Sequence, residues 1–238
     1  MTHFLLIHGS WHGAWCWYKI APRLQGEGHS VSVVDLPGRG RDRTWRAAIG
    51  MGAMLKACAA LLPADRKTVI VVHSRYGILA SELGERFPER IARVVYLASY
   101  MLPAGANALQ AFGWDDASGI PQGAEVNRLG LWDFFKPGYY RDVLYHDCSD
   151  EDHVLASSLL VPEPSRPALK KLKLTDGRYG SVPRAYIRLS EDRAVSPGLQ
   201  DRLINEVGAD RVETIKAGHS AYFSQPDALA RTIVKLSG

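Results

Sequence analysis

The sequence is poor in cysteine. Cys16, Cys58 and Cys148 are the only three among 238 residues. They form no C-x-x-C pair and no zinc spacing, which excludes a disulfide framework and a thiolate metal cage. The odd count, with no basic and apolar leader before it, makes a reducing cytoplasm the expected compartment. Long apolar runs are also missing. The longest, such as 57–62 and 94–98, are short, whereas a membrane-spanning helix needs ~18 or more residues, so no membrane is expected as a partner. A surplus of one charge is missing as well, since 29 basic against 25 acidic residues leave a net charge of +4. The densest basic stretches, 39–46 and 170–173, carry no motif that reads nucleic acid. They read as scattered solubilising charge, and nucleic acid is not expected as a partner. No internal repeat or low-complexity segment occurs. What remains is an ordinary globular composition, 46% apolar and 23% charged, in a chain long enough to bury a large core.

The chain alternates between two periods in its first half. Apolar or β-branched runs at 3–8, 30–35, 68–73 and 91–98 read as strands. Between them, 17–27, 47–62 and 78–87 read as helices. Continuous Val and Ile runs bounded by turns suit strands buried on both faces. Strand–helix–strand repetition implies right-handed crossovers and a parallel sheet. The alternation stops near Pro103 and resumes near Gly180, with strands at 183–190 and 211–215 and helices at 198–207 and 225–236. The intervening stretch holds Trp114, Trp132, Phe134, Phe135, Tyr139, Tyr140 and Tyr145 and a helical piece at 149–160. Aromatic side chains at that density need something to bury against. The expected organisation is therefore an α/β core from 1–103 and 180–238, interrupted by a folded cap at 104–179.

Three fragments carry chemistry, each just after an expected strand, where ligands bind in a parallel sheet. The first is Thr-Val-Ile-Val-Val-His-Ser-Arg-Tyr-Gly at 68–77. It has the strand–sharp turn–helix form of a nucleophile elbow, which presents Ser74 and aims the Arg75 N–H at the same point. The glycine positions of G-x-S-x-G are held by Val72 and Tyr76, and Gly77 alone is small. Alone, the fragment also reads as a turn serine after a buried strand. The Tyr76 ring has two destinations, the active site or the core. The second fragment is His8-Gly9-Ser10, where Gly9 permits a tight turn and Ser10 N–H completes an oxyanion hole. His3, His8 and His12 lack a carboxylate or thiolate to complete a metal site, so no metal is expected. The third fragment supplies Asp192 and His219 at the ends of the last two strands, giving the order Ser…Asp…His. His219 is placed to take the Ser74 proton and Asp192 to orient it, with Glu191 as the rival acid.

With these fragments on the page, the chain resembles the α/β-hydrolase superfamily, and within it the methylesterase and hydroxynitrile-lyase family. The residues that carry the resemblance lie at 3–19, 28–36, 87–103, 144–160 (with Cys-Ser-Asp-Glu-Asp and Leu-Ala-Ser-Ser-Leu) and 175–192. The resemblance implies a mostly parallel sheet flanked by helices under a small cap, with Ser74, Asp192 and His219 as a triad and no cofactor. Cyanohydrin-cleaving members place Thr after the first strand's His and Lys after the catalytic His. Here Gly9 and Ser220 stand there, so the resemblance favours ester hydrolysis. The expected activity is cleavage of small carboxylic esters through an acyl-enzyme. The alternatives are a carbamate, amide or lactone hydrolase with the same triad, or a hydrolase-fold binding protein with little turnover. Trp11, Tyr76, Tyr100, Met101 and Tyr222 are the expected substrate contacts, from their closeness to strand ends. Besides the ester, a second copy of the chain is the one partner considered.

Overall fold

A computed structural model describes residues 1–40 and 42–238. Strand β1 (His3–Ile7) leads to helix α1 (Ile20–Gly26) and strand β2 (Ser30–Val34). Helix α2 (Met51–Ala59), strand β3 (Thr68–His73), helix α3 (Gly77–Arg86) and strand β4 (Ile91–Leu97) follow. The inserted segment contains α4 (Ala108–Phe112), α5 (Ile120–Gly123), β5 (Ala124–Val126), β6 (Trp132–Phe135), α6 (Asp150–Leu159), β7 (Glu163–Pro164) and α7 (Arg166–Leu169). The chain closes with β8 (Arg184–Leu189), α8 (Pro197–Val207), β9 (Arg211–Ile215), α9 (Ala221–Ser224) and α10 (Pro226–Ser237).

Among the described residues, six strands form one sheet in the order β2-β1-β3-β4-β8-β9, and every pairing in it is parallel. The continuous apolar runs are explained by burial on both faces. Phe4, Leu6, Val69 and Val71 enter one core, while Leu5, Ile7, Ile70 and Val72 enter the other. The order of strand addition reverses between β1 and β3, β2 lying to one side of β1 and β3 to the other, which makes their carboxyl ends the switch point of the sheet. Ile7 pairs with Val72 there, so the loops after β1 and β3 emerge side by side.

Local chemistry moves several expected boundaries. The helix expected over 47–62 is confined to Met51–Ala59, because Gly50 is extended (φ −118°, ψ 175°) and serves as the N-cap. In the inserted segment, Ser149 Oγ accepts the Asp152 N–H at 3.2 Å and caps α6. Strands β5, β6 and β7 form a separate antiparallel sheet, which the sequence reading lacked. Asp133 on β6 lies directly opposite Glu163 on β7. Among the described residues no helix is long and apolar enough to cross a membrane, and no three His, Cys, Asp or Glu side chains gather as metal ligands.

Candidate active site

The turn after β3 is strained. Ser74 adopts φ +59°, the left-handed region that a residue with a Cβ rarely occupies. The strain is held by the loop that follows β4. The Ser74 carbonyl accepts the Tyr100 N–H at 3.0 Å and the Ser99 hydroxyl at 2.6 Å. Gly77 is glycine because a Cβ there would collide with the Tyr100 carbonyl. Helix α3 then runs inward, with every residue from Gly77 to Gly84 buried.

The expected Ser, His and Asp meet at this turn. His219 Nε2 lies 3.1 Å from Ser74 Oγ, and His219 Nδ1 lies 2.7 Å from Asp192 Oδ2. The other Asp192 oxygen accepts the Ala194 and Val195 N–H groups at 2.7 and 2.9 Å, so the carboxylate cannot swing away. Glu191, the rival acid, faces Lys216 at 3.6 Å instead and is exposed. His73 Nε2–H donates to the His219 carbonyl at 3.0 Å, which fixes the backbone that carries the His219 ring. Burial, followed by the neighbouring His219 and His12, holds His73 well below the ordinary histidine pKa.

Two more histidines shape the loop after β1. Leu36 N–H donates to His8 Nε2 at 3.3 Å, so Nδ1 carries the proton and donates to the Gly9 carbonyl at 2.8 Å. A trans peptide points its C=O and N–H in opposite directions. Holding Gly9 O on one side therefore turns Ser10 N–H to the other. His12 does the same for the next peptide, donating to Ser10 O at 2.7 Å while accepting Tyr145 O–H at 2.7 Å. Gly9 itself packs against the elbow: a Cβ there would lie 2.8 Å from His73 Nδ1 and 2.9 Å from Ser74 Cβ.

A cavity of about 360 Å³ opens above Ser74, within the range of small-molecule sites. Ser10, Ser74 and Arg75 form its floor, and most of its other lining is apolar, including Phe112, Ile120, Ala168 and Val195. Trp11 and Tyr100 line it as well. Three expected substrate contacts do not. Met101 is wholly buried in the core beside α3. Tyr222 is wholly buried, packed edge-on to His73 at 5.1 Å with its hydroxyl 3.1 Å from Ser220 Oγ. Tyr76 is wholly buried and its ring points away from the cavity.

Comparison with known proteins agrees with this architecture. Residues 4–232 match the Alpha/beta hydrolase family. The chain belongs to that family. The hydrolase is 33% identical to salicylic acid-binding protein 2 of Nicotiana tabacum, over 99% of this chain and 96% of that protein. It is 33% identical to methylesterase 1 of Arabidopsis thaliana, over 99% of this chain and 95% of that protein. Among solved structures, polyneuridine aldehyde esterase superposes with a TM-score of 0.91 at 29% identity, covering 100% of both chains.

The hydrolase resolves its unusual elbow through a buried ionic network that sequence reasoning missed. The Tyr76 hydroxyl donates to Glu163 Oε1 on β7. Glu163 Oε2 accepts the Trp11 N–H at 2.8 Å and pairs with Arg39 at 2.6 Å. Beside it, Asp133 holds Arg75 through two N–H groups at 2.8 and 3.2 Å and accepts Trp11 Nε1–H at 2.8 Å. The facing carboxylates of β6 and β7 would repel each other, and the two guanidiniums offset that. Burial works to raise the Glu163 carboxyl, but Arg39, Arg75 and its hydrogen bonds outweigh it and hold the pKa below the ordinary value. Arg39 is thus not solubilising charge, being 2% exposed. Its signal was one arginine of a basic stretch, set between Gly38 and Gly40, with nothing local to name a partner 124 residues away.

Proposed function

We propose that this carboxylic ester hydrolase cleaves small esters through a Ser74–His219–Asp192 triad and an acyl-enzyme. The observation that carries the reading is the unbroken chain Asp192 Oδ2–His219–Ser74 Oγ, with steps of 2.7 and 3.1 Å, at the floor of an apolar cavity. The kinship with methylesterase 1 supports the substrate class. His219 Nε2 takes the proton as Ser74 Oγ attacks the carbonyl carbon. Ser10 and Arg75 N–H groups receive the oxyanion, their orientation held by His8 and by the strained elbow. The alkoxide leaves with the proton from His219. Water, activated by the same imidazole, then releases the acid.

Hydrolysis is favoured over cyanohydrin cleavage on electrostatic grounds. The residue after His219 is Ser220, buried and uncharged, with its hydroxyl near Tyr222. Lys216 points to solvent. Among the described residues, no cation adjoins His219 in the chain or bonds to it, and Gly9 has no room for a threonine side chain. The test is a panel of ester, lactone, carbamate and cyanohydrin substrates, run with wild type and Ser74→Ala. Wild type should hydrolyse short aryl esters, label with a fluorophosphonate and spare cyanohydrins. Ser74→Ala should lose kcat by several orders of magnitude while remaining folded. Near-normal turnover by folded Ser74→Ala would sink the mechanism, and cyanide release abolished by Ser74→Ala would overturn the choice of reaction.

A further inference from the structure

The cavity wall is mostly apolar, and Tyr100, Arg75 and its partner Asp133 face it beside Ser10, Ser74 and Ser165. Tyr100 is only 7% exposed, and no side chain or backbone group among the described residues hydrogen-bonds its hydroxyl. A buried phenol usually finds one. Its backbone N–H on the Ser74 carbonyl, at 3.0 Å, fixes the residue beside the nucleophile. Arg75 follows Ser74 directly. One N–H from each terminal nitrogen goes to Asp133, at 2.8 and 3.2 Å. Its Nε–H and two further N–H groups have no acceptor among the described residues, because a guanidinium has five donors. The plane is steadied by Trp11, whose ring lies 5.5 Å below the guanidinium carbon. Ser10 and Ser165 also line the cavity, but their hydroxyls are buried out of reach of a ligand.

Unmatched donors, all within one apolar cavity and all beside the reacting serine, describe a subsite for an acceptor. Its charge is set by Asp133, which neutralises Arg75 at 2.8 Å. A second carboxylate brought there would face Asp133 with no cation of its own. We propose that Tyr100 and Arg75 form a polar subsite for a neutral acceptor oxygen (ketone, ether or amide) carried by the ester substrate. The assignment rests on the ester-hydrolase reading and deepens it from small esters in general to oxygen-bearing ones. A hydrocarbon in the same place leaves the donors dry and unpaired, which is the arrangement that discriminates most sharply between otherwise similar substrates.

The experiment compares matched ester pairs. One series carries a ketone at carbon 3, 4 or 5 of the acyl chain of a methyl ester, and the other carries it on the alcohol portion of an acetate. Each compound is paired with its hydrocarbon match, and a hemi-ester with a free carboxylate is added. The readout is the ratio of kcat/KM within each pair, in wild type, in Tyr100→Phe and in the double variant Arg75→Met/Asp133→Asn. The double variant removes the ion pair together, so no lone carboxylate is stranded. In one series the wild-type ratio should reach about tenfold to a hundredfold in favour of the ketone, and both variants should bring it close to one. Ratios near one for wild type in both series overturn the subsite. So does a preference that survives both variants, and a carboxylate preferred to the ketone overturns its neutrality. Failure of the ester-hydrolase reading is separate: no ester is then turned over by wild type, or Ser74→Ala still turns esters over.

Discussion

Asp192 and Glu191 are chain neighbours with opposite surroundings, and that contrast favours Asp192 as the acid of the proposed triad. Asp192 is 4% exposed, anchored by two backbone N–H groups and 2.7 Å from His219 Nδ1. Glu191 faces the ammonium of Lys216 at the surface. In water such a pair contributes little, typically below about 1 kcal/mol. Asp192→Asn keeps the shape of the side chain. Its amide nitrogen cannot accept the Nδ1 proton, so the imidazole is driven to the wrong tautomer and kcat should fall by up to ~10⁴. Glu191→Gln should stay within about twofold of wild type, because it touches no reacting group. Steady-state kinetics on one aryl ester measures both, and reversed effects would place the acid one residue earlier. The strain at Ser74 belongs to this scale as well. A φ of +59° costs on the order of 1–3 kcal/mol. The two hydrogen bonds from Ser99 and Tyr100 to its carbonyl hold that geometry.

At the scale of elements, β7 is two residues long, yet it joins the inserted segment to both loops of the site. Its Glu163 binds Tyr76 in the turn after β3 and the Trp11 N–H in the loop after β1. Glu163→Leu strands the Arg39 guanidinium in the interior, and removing one partner of a buried pair costs about 3–5 kcal/mol. Replacing both, as Arg39→Met/Glu163→Leu, removes the stranded charge and should recover most of that loss. Urea denaturation of the two single variants and the double variant gives the cycle. Strictly additive losses would show that the two side chains do not act as a pair. This element also marks the limit of what could be read from sequence. The parallel sheet was legible because apolar or β-branched runs alternate with helical stretches, and the meeting of Ser74, Asp192 and His219 because each follows an expected strand. Strands β5 and β7 span three and two residues, too short for any period to register. Tyr76 was recognised as an oversized residue in the elbow, but its destination depended on Glu163, 87 positions away. Met101 and Tyr222 were misplaced for a related reason. Closeness to a strand end says that a residue is near the site, not which side of the backbone it faces.

The whole molecule carries an acid sensitivity that follows from the same buried histidines. His8 is held at a pKa of about 3, first by burial and then by Arg39. His12 is held at about 4, first by burial, and His73 well below the ordinary value for the same leading reason. Unfolded, all three would titrate near 6.5. Between about pH 6.5 and pH 4 the unfolded chain therefore binds protons that the folded chain refuses, and stability falls as pH falls. The stabilisation is full above the unfolded value near 6.5 and declines toward the folded values. Each histidine adds up to about 1.4 kcal/mol per pH unit to that slope. Three together are large beside a typical total stability of about 5–15 kcal/mol. The decline should therefore begin well above the range where most carboxylates protonate. Urea midpoints at pH 7.5, 6.5, 5.5 and 5.0 should drop progressively from the second point onward. His8→Asn keeps a donor close to the Gly9 carbonyl and cannot titrate, so it should flatten the slope by about one histidine's share even if it lowers the midpoint at pH 7.5. A midpoint unchanged down to pH 5.0, or a slope that His8→Asn leaves intact, would mean that His8 does not resist protonation in the folded state. The hold on the Gly9 carbonyl would then need another explanation, since only the neutral ring accepts the Leu36 N–H while donating to Gly9.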